Sequence, residues 1–203
     1  MEFFLEEKKL LDNMAEGARR EKIPVVDKIT GRFLELICLI KNPKNVLEVG
    51  CGIGFSSYFL VKNLGDGSYT GIDLNKKRLE KAEEFLKFRF KSGNLSLLNG
   101  NALEIIPYLE RSFDLVFIDG AKLEYPYYIK TVENKLNDGA IIIADNIFYK
   151  NKVFEKNISR HDSNSVKGIK EYIRYIKTKK CFKSYFFDIG DGILVTEFFR
   201  GVN

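Results

Sequence analysis

The sequence is poor in the residues that build disulfide frameworks and zinc sites. Only three of its 203 residues are cysteine and one is histidine. Cys38, Cys51 and Cys181 are an odd number at wide spacing, which fits neither a disulfide framework nor a C-x-x-C zinc pattern. The histidine, His161, lies in the polar stretch RHDSNS, and we interpret it as a solvated loop residue. These scarcities argue against thiol, zinc and histidine chemistry.

Long apolar runs and a strong net charge are also absent. No apolar run approaches the ~20 residues that span a membrane, and the start MEFFLEEKK lacks the features of a signal peptide. We therefore predict a cytoplasmic location and no membrane partner. The net charge of +5 permits an RNA or nucleotide-bearing substrate but does not require one. The length suits a single domain, 1–203, in which residues 1–22 form an N-terminal helical appendage.

One stretch, NVLEVGCGIGFSSYFLVKNLGDGSYTGID at residues 45–73, predicts a βαβ unit. An apolar strand leads into glycines at 50, 52 and 54, a helix follows, and a second strand ends on Asp73. Glycines let the backbone approach a ligand closely, and an acid at that strand tip accepts hydrogen bonds from ribose hydroxyls. The unit therefore predicts a nucleoside-containing cofactor. Phe55 stands where a dinucleotide motif would need glycine, and the E-x-G-x-G-x-G form resembles the first motif of S-adenosylmethionine (SAM)-dependent methyltransferases.

The rest of the chain predicts repeated β-α units and a closing hairpin. Strands are predicted at 46–49, 68–72, 95–98, 113–118, 140–144, 183–187 and 193–199, and helices at 2–20, 31–40, 55–64, 75–91, 103–109, 121–136 and 165–179. Thr30 is predicted to cap the second helix, Asp138-Gly139 to form a turn, and residues 148–164 to form a long basic loop. The alternation predicts a parallel α/β sheet with helices on both faces and one antiparallel strand.

Polar residues follow four of the predicted strands, at Asp73, Asn101, Asp119 and Asp145-Asn146. Ligands of open α/β sheets bind outside the carboxyl ends of the strands, so these residues are expected to meet in one crevice. Asp119, Asp145 and Asn146 are hard oxygen ligands, which suit Mg²⁺, Mn²⁺ or Ca²⁺ and not zinc. The pattern predicts a divalent cation site, with Lys122 three residues after Asp119.

Five motifs in this order, LEVGCGIGFSS, GID, NGNA, FDLVFIDGAK and IIIADN, resemble the cation-dependent O-methyltransferases. That family includes the catechol and caffeoyl-CoA O-methyltransferases and their bacterial relatives, and the resemblance covers roughly residues 23–198. It implies a Rossmann-like class I methyltransferase fold, with a seven-stranded, mostly parallel sheet in the order 3-2-1-4-5-7-6 and strand 7 antiparallel. It also implies SAM as cofactor beside a divalent cation.

The resemblance assigns roles to residues of this chain. Asp119, Asp145 and Asn146 correspond to metal ligands and Lys122 to the catalytic base. The positions that correspond to cofactor contacts are Glu48, Gly50 and Ser56 toward the methionine part, Asp73 toward the ribose, Asn101 and Ala102 toward the adenine, and Val26 near the methyl group, together with Gly52, Gly54 and Asp119. Asn101 departs from the aspartate common at that position in bacterial relatives, so it keeps an acceptor but loses a charge.

Three functions compete at this point. The first is metal-dependent O-methylation of a small catechol-like or phenolic molecule. The second is the same chemistry on tRNA, at wobble 5-hydroxyuridine, which some bacterial relatives methylate. The third is a non-catalytic nucleotide-binding protein. We also predict a homodimer, because the N-terminal helix has an apolar side without an obvious partner in a sheet already covered by helices.

Overall fold

The strands and helices follow the predicted alternation. The strands are β1 (Asn45–Val49), β2 (Ser68–Asp73), β3 (Leu95–Asn99), β4 (Phe113–Ile118), β5 (Leu136–Ala144), β6 (Phe182–Phe187) and β7 (Ile193–Phe198). The helices are α1 (Glu2–Arg20), α2 (Lys28–Lys41), α3 (Phe55–Val61), α4 (Lys76–Leu86), α5 (Ala102–Ile105), α6 (Tyr125–Glu133) and α7 (Arg160–Thr178). The structure, a computed structural model, describes residues 2–87 and 94–201.

All seven strands form one sheet in the order β3-β2-β1-β4-β5-β7-β6, which confirms the predicted order. Strands β1 to β5 run parallel, and β7 runs antiparallel between β5 and β6. Since β2, β1, β4 and β5 are parallel neighbours, their carboxyl ends lie along one edge of the sheet. That edge carries the polar residues that follow these strands in the sequence.

The sheet is buried on both faces, as the continuous apolar strands require. Alternate residues of β4 enter different cores: Leu115 and Phe117 pack with α2, α3 and α4, whereas Val116 and Ile118 pack with α6 and α7. The predicted covering of the sheet by helices on both faces is confirmed. Among the described helices, none is long and apolar enough to cross a membrane.

Several element boundaries differ from the prediction because local hydrogen bonds set them. Helix α2 begins at Lys28, since Asp27 Oδ1 accepts from the backbone N–H groups of Ile29 and Thr30 at 2.8 and 2.9 Å; Asp27, and not Thr30, is the cap. Helix α7 begins at Arg160, five residues earlier than predicted, after the N-cap Ser159. His161 therefore lies in an exposed helical turn and not in a loop.

The predicted helix 121–136 is shorter than expected. A 3-10 turn, Lys122–Glu124, precedes α6, and the chain then enters β5 at residue 136. The predicted turn Asp138-Gly139 lies inside β5, next to a register shift against β4. The end of the predicted helix 75–91, with Gly93 after it, falls outside the described residues. The predicted helix 103–109 is α5 continued by a 3-10 turn, Ile106–Tyr108.

Helix α1 packs on its own domain. Leu11 and Ala18 are each 2% exposed. The Glu7 carboxylate accepts hydrogen bonds from Arg32 of α2 at 2.9 Å and from Lys62 and the Tyr58 hydroxyl at 2.7 Å. Burial acts to raise the pKa of Glu7, but these hydrogen bonds outweigh it and lower that pKa to about 2. The helix thus has a partner inside the chain, contrary to the reasoning behind the homodimer prediction.

Candidate active site

A cleft of about 680 Å³ opens at the carboxyl ends of the central strands. This volume lies in the range of small-molecule and cofactor sites. Ten of the predicted site residues line it: Val26, Gly50, Gly52, Asp73, Asn101, Ala102, Asp119, Lys122, Asp145 and Asn146. The fold therefore brings together residues that are up to 120 positions apart, because parallel strands deliver their C-terminal residues to one edge.

The glycines after β1 have separate structural reasons. Gly50 has φ +88°, and a Cβ there would lie 2.5 Å from the carbonyl oxygen of Asp119, so only glycine fits. Gly52 has φ +53°, and no heavy atom lies within 4 Å of a Cβ built on it. The chain is therefore tight against β4 at Gly50 and open to the cleft at Gly52, which suits a ligand lying close to the backbone.

Asp73 is held rigidly at the tip of β2. Its Oδ2 accepts from the Gly52 backbone N–H at 2.9 Å, and its Oδ1 accepts from the Asn75 backbone N–H at 2.8 Å. A carboxylate oxygen can accept more than one hydrogen bond, so both oxygens can still receive ligand hydroxyls. Asp73 thus couples the glycine turn to the position expected for a ribose.

Asn101 also has a local task. Its side-chain oxygen accepts from the Leu103 backbone N–H at 2.9 Å and caps α5. The retained acceptor that the sequence suggested for the adenine is therefore partly used by the protein. Ala102 follows at the same rim of the cleft.

Glu48, Ser56 and Gly54 do not line the cleft, so the cofactor contacts that the resemblance implied for them stay predictions. Glu48 is fully buried, and its carboxylate accepts hydrogen bonds from Ser56, Ser57 and Tyr69. Burial raises the pKa of Glu48 against these hydrogen bonds. This network lies beneath the glycine turn and ties β1 to α3 and β2. Gly54 is the N-cap residue of α3.

Lys122 lies between an acid and a phenol. Its Nζ donates to Asp119 Oδ1 at 2.7 Å and to the Tyr125 hydroxyl at 2.8 Å, and its side chain is 12% exposed. The Tyr125 hydroxyl lies 3.1 Å from the Ile118 carbonyl oxygen and 3.0 Å from that of Asp145. Burial, with the charges of Asp119 and Asp145 adding to it, raises the pKa of Tyr125 well above its ordinary value, so the phenol stays protonated.

Asp145 is an ionisable group in an unfavourable place. Burial and the negative charge of Asp119 raise its pKa to about 7, although the Asn146 backbone N–H donates to its Oδ1 at 2.7 Å. Asn146 has φ +54°, a conformation uncommon outside glycine and found at functional sites. The carboxylates of Asp119 and Asp145 thus line the cleft together with Asn146, and Lys122 offsets part of their negative charge.

This donor set fits a hard divalent cation by its chemistry. Carboxylate and amide oxygens are preferred ligands of Mg²⁺, and a cation would offset the repulsion that raises the pKa of Asp145. Within residues 2–87 and 94–201, no three His, Cys, Asp or Glu side chains form a group that could hold a metal. A cation here would therefore rely on Asn146 and on non-protein oxygens in addition to Asp119 and Asp145.

The far end of the cleft is built by two segments whose full contribution the sequence did not reveal. The link before α2 supplies Pro24, Val25, Val26 and Asp27, and the turn between β6 and β7 supplies Gly190 and Asp191. Gly190 sits so close to Asp27 that a Cβ would lie 2.6 Å from its carboxylate. Helix α1 and residues 148–164 do not line the cleft.

Tyr125 and Arg78 were also missed as site residues. Arg78 lines the cleft from the first turn of α4. Tyr125 follows Lys122 by three residues, the spacing that brings side chains together on a helical turn. That spacing was the sequence signal that Tyr125 lies beside Lys122. The apolar neighbours of Tyr125 instead suggested a residue of the hydrophobic core.

Comparison with known proteins gives a consistent result. The model of a family described as O-methyltransferase matches residues 1–197. A catechol O-methyltransferase of Niastella koreensis is 27% identical over 132 residues, an alignment that covers 63% of this chain and 60% of that protein.

Two solved structures have the same fold. The O-methyltransferase TomG from Streptomyces achromogenes, involved in tomaymycin synthesis and crystallised with SAM, gives a TM-score of 0.84 at 22% identity, covering 93% of this chain and 89% of that one. An O-methyltransferase from Bacillus cereus, in complex with SAH, gives 0.83 at 21% identity, covering 93% and 90%. The sheet order and helix placement described above are those of this group of structures.

Proposed function

The chain belongs to the O-methyltransferase family and is a SAM-dependent O-methyltransferase, and from this premise we propose that it methylates a small catechol-like or phenolic acceptor with a divalent cation. The observation that supports the proposal most is the cluster of Asp119, Lys122, Asp145 and Asn146 at one end of a cofactor-sized cleft. Membership of this family supports an enzyme over the third hypothesis, a non-catalytic nucleotide-binding protein.

The cofactor end of the cleft is formed by the glycine turn, Asp73 and Asn101. Asp73, fixed by two backbone N–H groups, would accept hydrogen bonds from the ribose hydroxyls. Bound SAM supplies an electrophilic methyl group, whose bond to sulfur breaks with the electron pair left on sulfur. The open floor at Gly52 leaves room for the cofactor near the backbone.

The chemistry on the protein side is the removal of one proton. Lys122, in its neutral form, takes the proton of the acceptor hydroxyl on Nζ as the oxygen forms its bond to the methyl carbon. Asp119, Asp145 and Asn146 would hold a Mg²⁺ ion, which lowers the pKa of a hydroxyl bound to it. Residues at the ends of β1, β4 and β5 line the cleft and would hold the proton acceptor and the reacting oxygen at a defined distance, which contributes to such catalysis.

The acceptor end favours a small molecule over RNA. Its walls are aliphatic at Pro24, Val25 and Val26, and the acids Asp27 and Asp191 stand beside them. A polyanion would meet these carboxylates unfavourably. The basic residues of 148–164 do not line the cleft themselves. The segment reaches the cleft wall only where the Lys150 backbone N–H donates to the Asp191 carboxylate at 2.7 Å, and Lys152 is paired with Asp162 at 2.5 Å.

The direct test is methyl transfer from SAM to 3,4-dihydroxybenzoate by the purified protein, with Mg²⁺ and with excess EDTA. We expect turnover that needs the metal, and a Lys122→Ala variant slower by ~10²–10⁴-fold with nearly unchanged SAM affinity. His161→Ala, an exposed change outside the cleft, is the matched control and should behave as wild type. Full activity in EDTA would refute the metal role.

The tRNA alternative is tested separately. Modified nucleosides in tRNA from wild-type and deletion strains are compared, and the double change Lys156→Ala and Arg160→Ala is assayed on both substrates. A small-molecule enzyme should keep its activity on 3,4-dihydroxybenzoate in that variant. Loss of a methylated uridine in the deletion strain would favour the tRNA reading instead.

A homodimer stays a proposal, now supported by a different surface. The side of α2 that faces away from the sheet carries Ile29, Leu36 and Ile40, exposed by 71%, 50% and 73%. Phe33 joins this side to β6 through Phe187, with ring centroids 5.1 Å apart. The exposed apolar residues of α2 and β6 form the surface on which we propose that a second copy of the chain packs. A stable interface of this kind buries ~800 Å² per partner.

Light scattering at micromolar concentration tests this surface. We expect a dimer mass for wild type, a monomer mass for Leu36→Arg, and an unchanged dimer for Tyr108→Arg, which alters an equally exposed side chain outside the surface. A monomeric wild-type protein would refute the proposal. The cytoplasmic location is likewise a prediction, which fractionation of cells would test.

A further inference from the structure

The hydroxyl of Tyr125 is the most constrained polar group beside the cleft. Tyr125 is 0% exposed, and its oxygen lies within hydrogen-bond distance of two backbone carbonyls, of Ile118 at 3.1 Å and of Asp145 at 3.0 Å. A phenol has one proton to give. That proton is directed to the carbonyls, so toward Lys122 Nζ, 2.8 Å away, the hydroxyl can only accept.

This constraint limits the orientation of the lysine nitrogen. Among the described residues, two acceptors receive hydrogens from Nζ, the Asp119 carboxylate at 2.7 Å and the Tyr125 hydroxyl at 2.8 Å. These two partners fix two of the bonding directions about Nζ. A third direction is left for the acceptor hydroxyl, and Lys122 lines the cleft.

We propose that Tyr125 is a positioning residue, which holds Lys122 Nζ so that its remaining bonding direction faces the acceptor hydroxyl in the cleft. The proposal rests on the proposed function, in which Lys122 is the base. Without the hydroxyl, Nζ would keep one fixed partner and could rotate about its last side-chain bond. The reaction would then wait for the correct rotamer, whereas the cofactor end of the cleft would be untouched.

The backbone under Lys122 is fixed independently, which makes a side-chain anchor useful. Gly168 of α7 lies so close that a Cβ would stand 2.4 Å from the Lys122 carbonyl oxygen. Tyr172 of α7 packs edge-on against the Tyr125 ring, with centroids 5.6 Å apart. With the main chain and the phenol ring both held, the long lysine side chain is the remaining mobile part, and Tyr125 secures its end.

The chain contains a matched control for removing one buried hydroxyl. Tyr172 is also 0% exposed and packs edge-on against Tyr125, and its hydroxyl has no hydrogen-bond partner in the described part of the chain. Tyr125→Phe and Tyr172→Phe therefore delete the same atom from neighbouring rings of one core. Tyr125→Phe also leaves the Ile118 carbonyl with its bond from the Asp145 backbone N–H at 3.1 Å, so the strand pairing is kept.

The experiment measures kcat and KM with SAM, Mg²⁺ and 3,4-dihydroxybenzoate, SAM affinity by calorimetry, and thermal unfolding. We expect Tyr125→Phe to lose about ten- to a hundredfold in kcat, the scale of a misplaced catalytic group, with KM for SAM within twofold of wild type. Tyr172→Phe should keep both kcat and KM for SAM within twofold of wild type. In a Lys122→Ala background, Tyr125→Phe should change the residual rate no further, since the group it positions is gone.

Each other outcome overturns the assignment. A Tyr125→Phe kcat within twofold of wild type, or an equal loss in Tyr172→Phe, shows that the hydroxyl does not position the base. A crystal structure of wild type with Mg²⁺ and 3,4-dihydroxybenzoate is the measurement that needs no variant. Nζ should lie within hydrogen-bond distance of both the Tyr125 and the acceptor oxygens, and Nζ turned away from Tyr125 refutes the proposal.

Failure of the proposed function gives a different pattern. If Lys122→Ala keeps wild-type turnover, or wild type methylates no acceptor with Mg²⁺ present, Lys122 is not the base of this reaction. If Lys122→Ala is inactive while Tyr125→Phe is fully active, only the positioning role is wrong.

Discussion

The substitution Asp145→Asn tests the electrostatic account of the candidate metal site without any substrate. Asp145 is 3% exposed, and burial together with the charge of Asp119 raises its pKa to about 7, from an ordinary value of 3.8. At a pH between these two pKa values, Asp145 carries a proton in the folded protein but has released it in the unfolded chain. Stability in the absence of metal therefore falls as pH rises through this window, and the penalty is complete above about pH 7.

The size of the effect follows from the same values. Each pH unit inside the window changes the free energy of unfolding by ~1.4 kcal/mol, so the step from pH 5 to pH 8 costs the wild type on the order of 2–3 kcal/mol at this group. Asparagine has nearly the same shape and does not titrate. Ionisable groups remote from Asp145 are common to both proteins and cancel in the comparison. The stability of Asp145→Asn relative to wild type should thus rise by roughly 2–3 kcal/mol between pH 5 and pH 8.

The assay is urea unfolding of both proteins in EDTA at pH 5, 6, 7 and 8, followed by circular dichroism. Excess Mg²⁺ should then stabilise wild type more at pH 8 than at pH 5, because the cation offsets the ionised pair only when the pair is ionised. A stability difference that is constant, or that shrinks as pH rises, would show that Asp145 is already ionised at pH 5. The argument from its burial would then be wrong.

Three other perturbations test separate parts of the structure. Asp73→Ala should weaken SAM binding by roughly 1–3 kcal/mol in calorimetry, and Asp73→Asn, which keeps an acceptor for the Gly52 N–H, should weaken it less; equal losses would contradict the anchoring role. Gly168→Ala should destabilise the protein by about 1–3 kcal/mol in urea unfolding and lower kcat, because the clash of the new Cβ with the Lys122 backbone outweighs the ~1 kcal/mol gain in helix propensity. A more stable variant would refute the close approach of Gly168 to Lys122. Glu7→Gln should cost about 3 kcal/mol at pH 7, and this cost should shrink as pH falls from 4.5 toward 2, where wild type loses the same charge; a pH-independent cost would count against the ion-pair network.

Much of the fold could be predicted because it depends on short-range patterns. The apolar runs of β1, β4 and β5 are buried on both faces, and continuous hydrophobicity in a short segment has few other structural solutions. The glycines at 50, 52 and 54 and the acid at 73 are separated by one helix, so their spacing alone indicates a nucleoside site. Boundaries were less accurate, since Asp27 and Ser159 decide where α2 and α7 begin through hydrogen bonds that several nearby residues could have made.

The order of polar residues along the chain determined which side chains meet, because parallel strands bring their ends to one edge whatever lies between them. Asp73, Asn101, Asp119, Lys122 and Asp145 could therefore be placed together from sequence. Which way a side chain points is a different matter. Glu48 directly precedes Val49, which lines the cleft, yet its side chain lies in the core, where three hydroxyl groups donate hydrogen bonds to it. Only the packing of α3 and β2 decides that.

The tertiary structure also decided what surrounds the base. Tyr125 reads in the sequence as one aromatic residue among several on a helix. The close packing of α7 at Gly168 and the two carbonyls at the ends of β4 and β5 give its hydroxyl a defined donor and acceptor role. Gly168 lies 46 positions after Lys122, and the carbonyls of Ile118 and Asp145 lie 7 and 20 positions from Tyr125, so no single local pattern encodes these contacts. The sequence determined which chemical groups the site contains, and the packing of distant elements determined their orientation, because orientation depends on contacts that form only in the folded chain.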